Sequence, residues 1–347
     1  MKQPNIKDYL PLVKKPARYI GSEVNSVKKD LTPGGSVRLT FALAFPDVYE
    51  IGASHLGLQI LYQLLNARDD IAAERVYAPW ADYELLLREK GFRLTSLENE
   101  LPLSDFDILG FSLQYELSYT NILNMLELGG IALYSKDRGE GDPLVIGGGP
   151  SAFNAEPVAE FFDAFLLGDG EEAVIEIADA VIKAKEEGLT RAETIDRLSE
   201  IAGVYVPAFF EPSYNEDGTI KEMRPLKQAY TSVLKRTVMD LSALPEPTRP
   251  VVPYVEVIHD RFSIEIARGC TRGCRFCHAG MVTRPARERD PADVIRIIRE
   301  GIKNTGYDEV SLLSLSTGDY CSIEPLLSTL MESFEADRVA VSLPSLR

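Results

Sequence analysis

The chain has 347 residues, a length typical of about two domains. Its composition, with 45% hydrophobic residues, supplies ordinary globular cores and excludes wholesale disorder. A formal net charge of -16 argues against non-specific nucleic-acid binding, which depends on the neutralisation of phosphates by Lys and Arg.

Two further sequence features bear on where the protein works. The N-terminus has no apolar signal core, and no run approaches the roughly 18 consecutive apolar residues of a membrane span. There are only 4 cysteines, and three of them lie in one short run, so the sequence implies no disulfide framework. We therefore predict a cytoplasmic protein without a membrane partner.

The first half of the chain predicts an α/β domain. Residues 1–36 are polar and broken by proline and glycine, so we predict a leader without chemistry of its own. Over 37–187, apolar β-rich runs alternate with helical periodicity, which predicts a five-stranded, doubly wound, Rossmann-like parallel sheet. Ligands bind such sheets at the carboxyl ends of the strands. The predicted strands are 37–44, 75–78, 107–113, 144–146 and 164–167. The predicted helices are 54–66, with Ser54 as N-cap, 80–90, stopped by Gly91, 117–128 and 171–185.

The second half predicts a connector and the start of a barrel. Residues 188–255 alternate less cleanly, contain a turn signal at 214–218, and end in a proline-rich linker. Residues 256–347 read as β-α-β-α-β, the order that opens a parallel barrel. The predicted strands there are 264–267, 309–315 and 338–343, and the predicted helices are 291–303, with Asp290 as N-cap, and 323–334.

One short run carries the strongest chemical signal. Cys270, Cys274 and Cys277 have the spacing C-x-x-x-C-x-x-C. Three thiolates on one loop can hold three corners of a 4Fe–4S cluster, and the fourth iron then stays open to a substrate or cofactor. The alternatives are a redox pair and a zinc site whose fourth ligand is His278 or Cys321, although we expect Cys321 to be a small buried residue.

With Phe276 placed just before the third cysteine, this run resembles the signature of the radical S-adenosylmethionine (SAM) superfamily. The resemblance implies an enzyme whose reduced 4Fe–4S cluster binds and cleaves SAM, leaving a 5′-deoxyadenosyl radical. It also implies an electron donor such as flavodoxin or ferredoxin. The superfamily barrel has more βα units than this chain contains, so we expect a partial TIM-type barrel in the N-terminal portion of a longer protein. The alternative is a half-barrel completed by a partner.

The resemblance extends to the SAM contacts. Thr317, Gly318 and Asp319 follow the second barrel strand, where the superfamily has a Gly-Gly-Glu-like motif. Asp319 matches the acid that contacts the SAM amino group, although an ordinary turn would explain the same residues. At the end of the third strand, Ser342 and Arg347 occupy the place of polar SAM contacts.

Residues 37–187 resemble the cobalamin-binding module found ahead of many radical SAM barrels, which implies cobalamin as a further cofactor. Such modules carry D-x-H-x-x-G after the first strand, and here Asp47, Tyr49 and Gly52 occupy that frame. Tyr49 replaces the axial histidine, so axial ligation by histidine is not expected, and we read His55 as a helix cap or packing group. Glycines at other strand ends match the surroundings of the cobalamin tail: Gly148, Gly149 and Gly168. The alternative is a vestigial module kept for folding or docking.

Residues 111–121 follow the third strand at the same predicted edge, where Ser112, Gln114, Tyr115 and Glu116 could contact a ligand. The alternative is that the tyrosines of this segment simply pack. The leading hypothesis is a radical SAM enzyme of unknown substrate, with methyl transfer as the outcome if cobalamin binds. The rival hypothesis is a non-catalytic iron–sulfur protein that docks RNA or ribosomal components through an arginine-rich rim. The seven rim arginines could equally be solvated charge: Arg261, Arg268, Arg272, Arg275, Arg284, Arg287 and Arg289.

Overall fold

The structure is a computed structural model that describes residues 5–245 and 247–346. Its internal contacts divide the chain into two compact units. The first unit takes in the chain up to residue 20, 28–48 and 65–237, and the second takes in 21–27, 49–64 and 238 onward. Each unit is therefore assembled from segments that are separated in sequence.

The first unit is built on a mostly parallel sheet of six strands in the order β2-β1-β3-β4-β5-β6. The first five strands are parallel, as predicted, and β6 adds an antiparallel edge that the sequence did not reveal. Because β6 has only two residues, it carries too short an apolar run to be recognised. The strands are β1 Leu39–Phe45, β2 Ile71–Tyr77, β3 Ile108–Ser112, β4 Leu144–Gly148, β5 Ala164–Leu166 and β6 Val204–Tyr205.

The edge strand β2 starts four residues earlier than predicted, and all seven of its residues are buried. The prediction began at Arg75 because a glutamate and an arginine interrupt the apolar pattern. Both charges have partners inside: Arg75 Nε donates to Glu98 Oε1 at 2.6 Å, and Glu74 Oε2 accepts the hydroxyl proton of Ser96 at 2.5 Å. Segment 94–101 thereby covers part of the exposed edge of the sheet.

Six α-helices are described within residues 5–200, and three of them, α3, α4 and α5, end at a glycine in the left-handed conformation. Gly91 ends α3 in the left-handed conformation, as predicted. Ser54 does not cap α2, because its hydroxyl donates to backbone carbonyls of the preceding turn; His55 Nδ1 instead accepts the Leu58 N–H at 3.2 Å, which confirms its reading as a cap. The helices are α1 Tyr49–Gly52, α2 Leu56–Asn66, α3 Ala81–Lys90, α4 Tyr119–Gly129, α5 Ala173–Glu187 and α6 Arg191–Leu198.

Residues 5–20, part of the predicted leader, are more ordered than their composition indicated. Two short 3-10 helices occupy Ile6–Leu12 and Pro16–Tyr19, and Leu10 and Val13 are buried in the core of the first unit. Further along, the antiparallel hairpin of β7 (Phe210–Tyr214) and β8 (Ile220–Pro225) encloses the predicted turn.

The second unit contains the β-α-β-α-β order that the sequence predicted. The parallel strands β9 (Phe262–Glu265), β12 (Glu309–Leu313) and β13 (Ala340–Ser342) form a sheet in the order β13-β12-β9. The alternate residues Phe262, Ile264, Val310 and Leu312 are buried against helices α8 and α9. The remaining elements are β10 Ala267–Arg268, α7 Ala279–Val282, β11 Arg287–Glu288, α8 Pro291–Thr305 and α9 Ile323–Phe334.

Asp290 caps α8 as predicted, since its carboxylate accepts the Ala292 N–H at 2.8 Å. Among the described residues, no helix has both the length and the apolar character needed to cross a membrane.

Candidate functional site

The three clustered cysteines lie on a loop that follows the first strand of the second unit. The loop leaves the short strand β10, reaches α7, and returns through β11, which pairs antiparallel with β10. Its first residue, Gly269, has φ +87, and a Cβ there would lie 2.7 Å from the carbonyl oxygen of Pro285. Only glycine fits this close backbone approach, which fixes the base of the loop.

The donor chemistry of this loop fits a cluster. Cys270, Cys274 and Cys277 are free thiols, and each is partly exposed. Two of the sulfurs accept backbone N–H groups: Cys270 Sγ from Arg272 at 3.5 Å and Cys277 Sγ from Gly280 at 3.3 Å. Such bonds favour sulfur that carries negative charge. Sulfur donors on one loop are therefore available to a metal and already supported by the backbone.

Within 5–245 and 247–346, no three His, Cys, Asp or Glu side chains lie close enough to hold one metal ion. In a cubane cluster each thiolate binds a different iron, so its three ligands need not converge on one point.

The other groups around the loop differ in their accessibility. Phe276 is 89% exposed. Cys321 is exposed, so the expectation that it would be buried is wrong. Its backbone N–H donates to Glu288 at 3.0 Å, and a hydrogen bond to the same carboxylate raises the pKa of the Cys321 thiol. His278 is also exposed and stands immediately before α7.

Asp319, the predicted acid of the SAM site, contacts the cysteine loop directly. Arg272, which lies between the first two cysteines, donates through Nε to Asp319 Oδ2 at 2.7 Å and through Nη2 to Oδ1. Ser316 Oγ donates to Oδ2 at 2.7 Å. The hydrogen bonds to the Asp319 carboxylate raise the pKa of Arg272. Sequence reasoning missed this pair because Arg272 was counted only among the rim arginines, 47 positions from its partner.

The other predicted SAM residues have different surroundings. Thr317 is fully buried, and its hydroxyl donates to the carbonyl oxygen of Pro344 at 2.5 Å, so it anchors the loop. At Gly318 a Cβ would come no nearer than 3.8 Å to Leu346, which leaves an open approach. Ser342 lies in β13 beside Ser311, and its hydroxyl accepts from Arg261 at 3.5 Å. Arg347 lies outside the described residues.

Six of the seven rim arginines contact groups of the chain itself. Arg287 and Arg289 are buried and donate to backbone carbonyls of neighbouring segments, while Arg268 forms a bidentate pair with Glu265. Arg275 is exposed. The rim therefore serves largely to hold the loops around the cysteines, a role that the sequence did not indicate. The other three arginines with such contacts are Arg261, Arg272 and Arg284.

In the first unit, two loops meet where the strand order reverses between β1 and β3. Asp47 follows β1, and its Oδ2 accepts the phenol proton of Tyr115, which follows β3, at 3.0 Å. This hydrogen bond raises the pKa of the Tyr115 phenol. Tyr115 is 43% exposed, so the pair presents a polar group at the crevice where open α/β sheets bind ligands.

Tyr49, which occupies the position of the axial histidine in the sequence frame, is a buried residue. It belongs to α1, is 1% exposed, and donates its phenol proton to Glu23 at 2.8 Å. Gly52, the last residue of α1, is also buried. The contacts assign both residues to the second unit, whereas Asp47 belongs to the first. Tyr49 and Gly52 are therefore buried residues of the second unit, and the cobalamin contact expected of them stays a prediction.

Two of the three strand-end glycines of the first unit, Gly149 and Gly168, are approached closely by the chain itself. Gly168 has φ +105, and a Cβ there would lie 2.0 Å from the carbonyl oxygen of Arg236. Asp169 N–H donates to that same oxygen at 3.0 Å, so segment 235–237 fills the space beside Gly168. A Cβ on Gly149 would lie 2.7 Å from the Leu113 carbonyl oxygen, whereas at Gly148 the nearest atoms are 4.0 Å away. Of the three, Gly148 leaves the most room for a ligand.

Comparison with protein families gives two matches. Residues 57–207 match the model for the N-terminal region of radical SAM proteins, and residues 264–347 match the radical SAM superfamily model. A curated relative, the uncharacterized protein MJ0966 of Methanocaldococcus jannaschii, is 27% identical over 292 residues, which cover 83% of this chain and 52% of the relative.

Solved structures show a related fold. The radical SAM methyltransferase TsrM of Kitasatospora setae, solved with cobalamin and a 4Fe–4S cluster, has a TM-score of 0.52 at 15% identity, over 88% of this chain and 54% of TsrM. The same enzyme with tryptophan and a SAM analogue gives a TM-score of 0.51 at 15% identity, over 87% and 53%. The chain thus spans about half the length of the proteins that it matches. At this identity the likeness concerns the fold.

Proposed function

We propose that this chain, which carries a radical SAM N-terminal domain and a radical SAM domain, cleaves SAM reductively at a 4Fe–4S cluster held by Cys270, Cys274 and Cys277. Membership of this family indicates an enzyme, and the family uses the cluster together with SAM. The observation that carries the proposal is the loop of three partly exposed thiols tied by Arg272 to Asp319.

When bound, the cluster supplies the single electron that breaks a carbon–sulfur bond of SAM. The chain's own residues would bind the cluster and orient SAM beside it. The three thiolates hold three irons and leave the fourth open, where amino and carboxylate groups of SAM can bind. The Asp319 carboxylate would accept a hydrogen bond from the SAM amino group, Gly318 would leave room for that approach, and the exposed ring of Phe276 would be available to pack against the cofactor. Ser342 and Arg347 are proposed as weaker SAM contacts.

We further propose that the first unit is a Rossmann-like, cobalamin-binding domain, and that β9, β12 and β13 begin a TIM-type barrel. The reversal of strand order between β1 and β3 supports this assignment, because the Asp47–Tyr115 pair and Gly148 lie at strand ends around it. TsrM, which shares the fold, is a methyltransferase with bound cobalamin. With both cofactors bound, methyl transfer to a carbon atom of the substrate is the proposed outcome.

The setting follows from the same chemistry. A flavodoxin or ferredoxin is the proposed electron donor, and a reducing compartment such as the cytoplasm would keep the four free thiols reduced. The alternative of a non-catalytic protein that docks RNA is not favoured, since most rim arginines bond to the chain itself and the family matches carry no link to RNA.

Electron paramagnetic resonance of the anaerobically reconstituted, reduced protein tests the proposal, with spectra recorded before and after SAM is added. We expect a 4Fe–4S signal that shifts with SAM, because SAM binds the open iron. A cluster signal that SAM leaves unchanged would contradict the enzymatic reading. Stoichiometric zinc in place of iron would contradict the cluster itself. Optical titration with cobalamin tests the second cofactor separately.

A further inference from the structure

We propose that Arg272 is a positioning residue: it fixes the carboxylate of Asp319 for the amino group of SAM and joins the cysteine loop to the loop after β12. The inference rests on the proposed function and deepens it. It begins from a contact between two loops that are far apart in sequence, one carrying the sulfur donors and the other carrying the acid.

The geometry of the pair is that of a guanidinium fork on a carboxylate. Nε and Nη2 of Arg272 donate to different oxygens of Asp319, and Ser316 Oγ donates to Oδ2 from the acid's own turn. Bidentate pairs of this kind fix the plane of the carboxylate as well as its place. Asp319 is therefore held in one orientation although it lies at the surface.

The exposure of the pair argues against a purely stabilising role. The Arg272 side chain is 53% exposed and that of Asp319 is 29% exposed, and ion pairs so close to solvent add little to folding stability. The same exposure leaves the carboxylate accessible to a cationic ligand. Because this bidentate bond adds little stability, we infer that its role is to hold the carboxylate in place for a ligand.

The two loops are anchored independently of Arg272. Thr317 ties the Asp319 turn to Pro344, and Gly269 seats the cysteine loop against Pro285. Arg272 then fixes the position of the cysteine loop relative to the turn that carries Asp319, while each of the two is anchored by its own contacts. Its loss should move the carboxylate relative to the sulfurs while leaving each loop folded.

The test compares SAM binding to the reconstituted, unreduced protein by equilibrium dialysis, so no turnover is needed. We expect Arg272→Gln to keep full iron content and to bind SAM about 10- to 100-fold more weakly, the loss typical of a charge-assisted contact. Arg272→Lys keeps the charge without the fork and should restore part of the affinity. Arg275→Gln, which removes an exposed arginine from the same loop, should bind SAM like the unmodified protein.

A double variant identifies the route of the effect. If Arg272 acts through Asp319, Arg272→Gln combined with Asp319→Asn should bind SAM no more weakly than Asp319→Asn alone. Unchanged or tighter SAM binding by Arg272→Gln overturns the inference. If that variant loses iron, Arg272→Lys takes its place, and affinity equal to the unmodified protein overturns the inference there. Failure of the unmodified protein to bind SAM refutes the proposed function instead.

Discussion

The two candidate cofactor regions differ in what already occupies them. At the strand ends of the first unit, the space beside Gly168 is filled by the backbone of Arg236, and the chain also approaches Gly149 closely. On the cysteine loop, the three thiols are partly exposed, Phe276 is exposed, and two of the sulfurs accept backbone N–H groups. A glycine at a strand end can thus be explained by close backbone packing, whereas three partly exposed thiols on one loop are better explained by binding of a ligand.

The largest expected effect is loss of the cluster from the cysteine loop without loss of the fold of the first unit. Cys274→Ala should abolish cluster binding, because only two of the three proposed cysteine ligands would remain to hold the cubane. The sheet of the first unit should stay folded, since Cys274 belongs to the other unit. Iron and sulfide analysis measures the first outcome, and circular dichroism measures the second.

Cys321→Ala is the matched control and should retain iron. Normal iron content in Cys274→Ala, or iron loss in the Cys321 variant, would refute the assignment of ligands.

The next effect tests whether Gly168 serves packing. Gly168→Ala would place a Cβ 2.0 Å from the Arg236 carbonyl oxygen at φ +105, so the free energy of unfolding should fall by about 2–4 kcal/mol. Gly188→Ala has φ +67 and open space, so only the backbone penalty of about 1–2 kcal/mol applies. Urea unfolding of both variants gives the comparison. Equal losses would mean that the contact with Arg236 contributes nothing.

The smallest effect distinguishes two tyrosines of the cobalamin proposal. Tyr49→Phe removes a buried hydrogen bond to Glu23 and should lower the free energy of unfolding by about 1–2 kcal/mol. Tyr115→Phe removes an exposed hydrogen bond to Asp47 and should cost about 0.5 kcal/mol or less.

The optical spectrum of added cobalamin should show the opposite ranking. We expect the Tyr115 variant to alter it, because Tyr115 lies at the crevice, and the Tyr49 variant to leave it unchanged. A spectral change in the Tyr49 variant alone would restore Tyr49 as the relevant group.

Several elements could be predicted because their signals are local. Alternating apolar runs gave the five parallel strands, Gly91 and Asp290 gave helix ends, and the cysteine spacing gave the candidate cluster loop. The strand β2 and the two-residue β6 were harder. Glu74 concealed the beginning of β2, since its partners Ser96 and Asn99 come from a separate segment, and β6 was too short to show a period.

The sequence by itself determined the chemistry available to this protein: three cysteines at a spacing that suits a cluster, an aromatic residue beside the third, and an acid after the next long strand. These features are residue types and spacings along the chain, so they can be read without knowing which residues meet in the fold. Only the tertiary structure decided which polar groups meet. It paired Arg272 with Asp319 across 47 residues, Asp47 with Tyr115, and Tyr49 with Glu23. Such pairs depend on how loops from separate strands are brought together, and no local pattern encodes that.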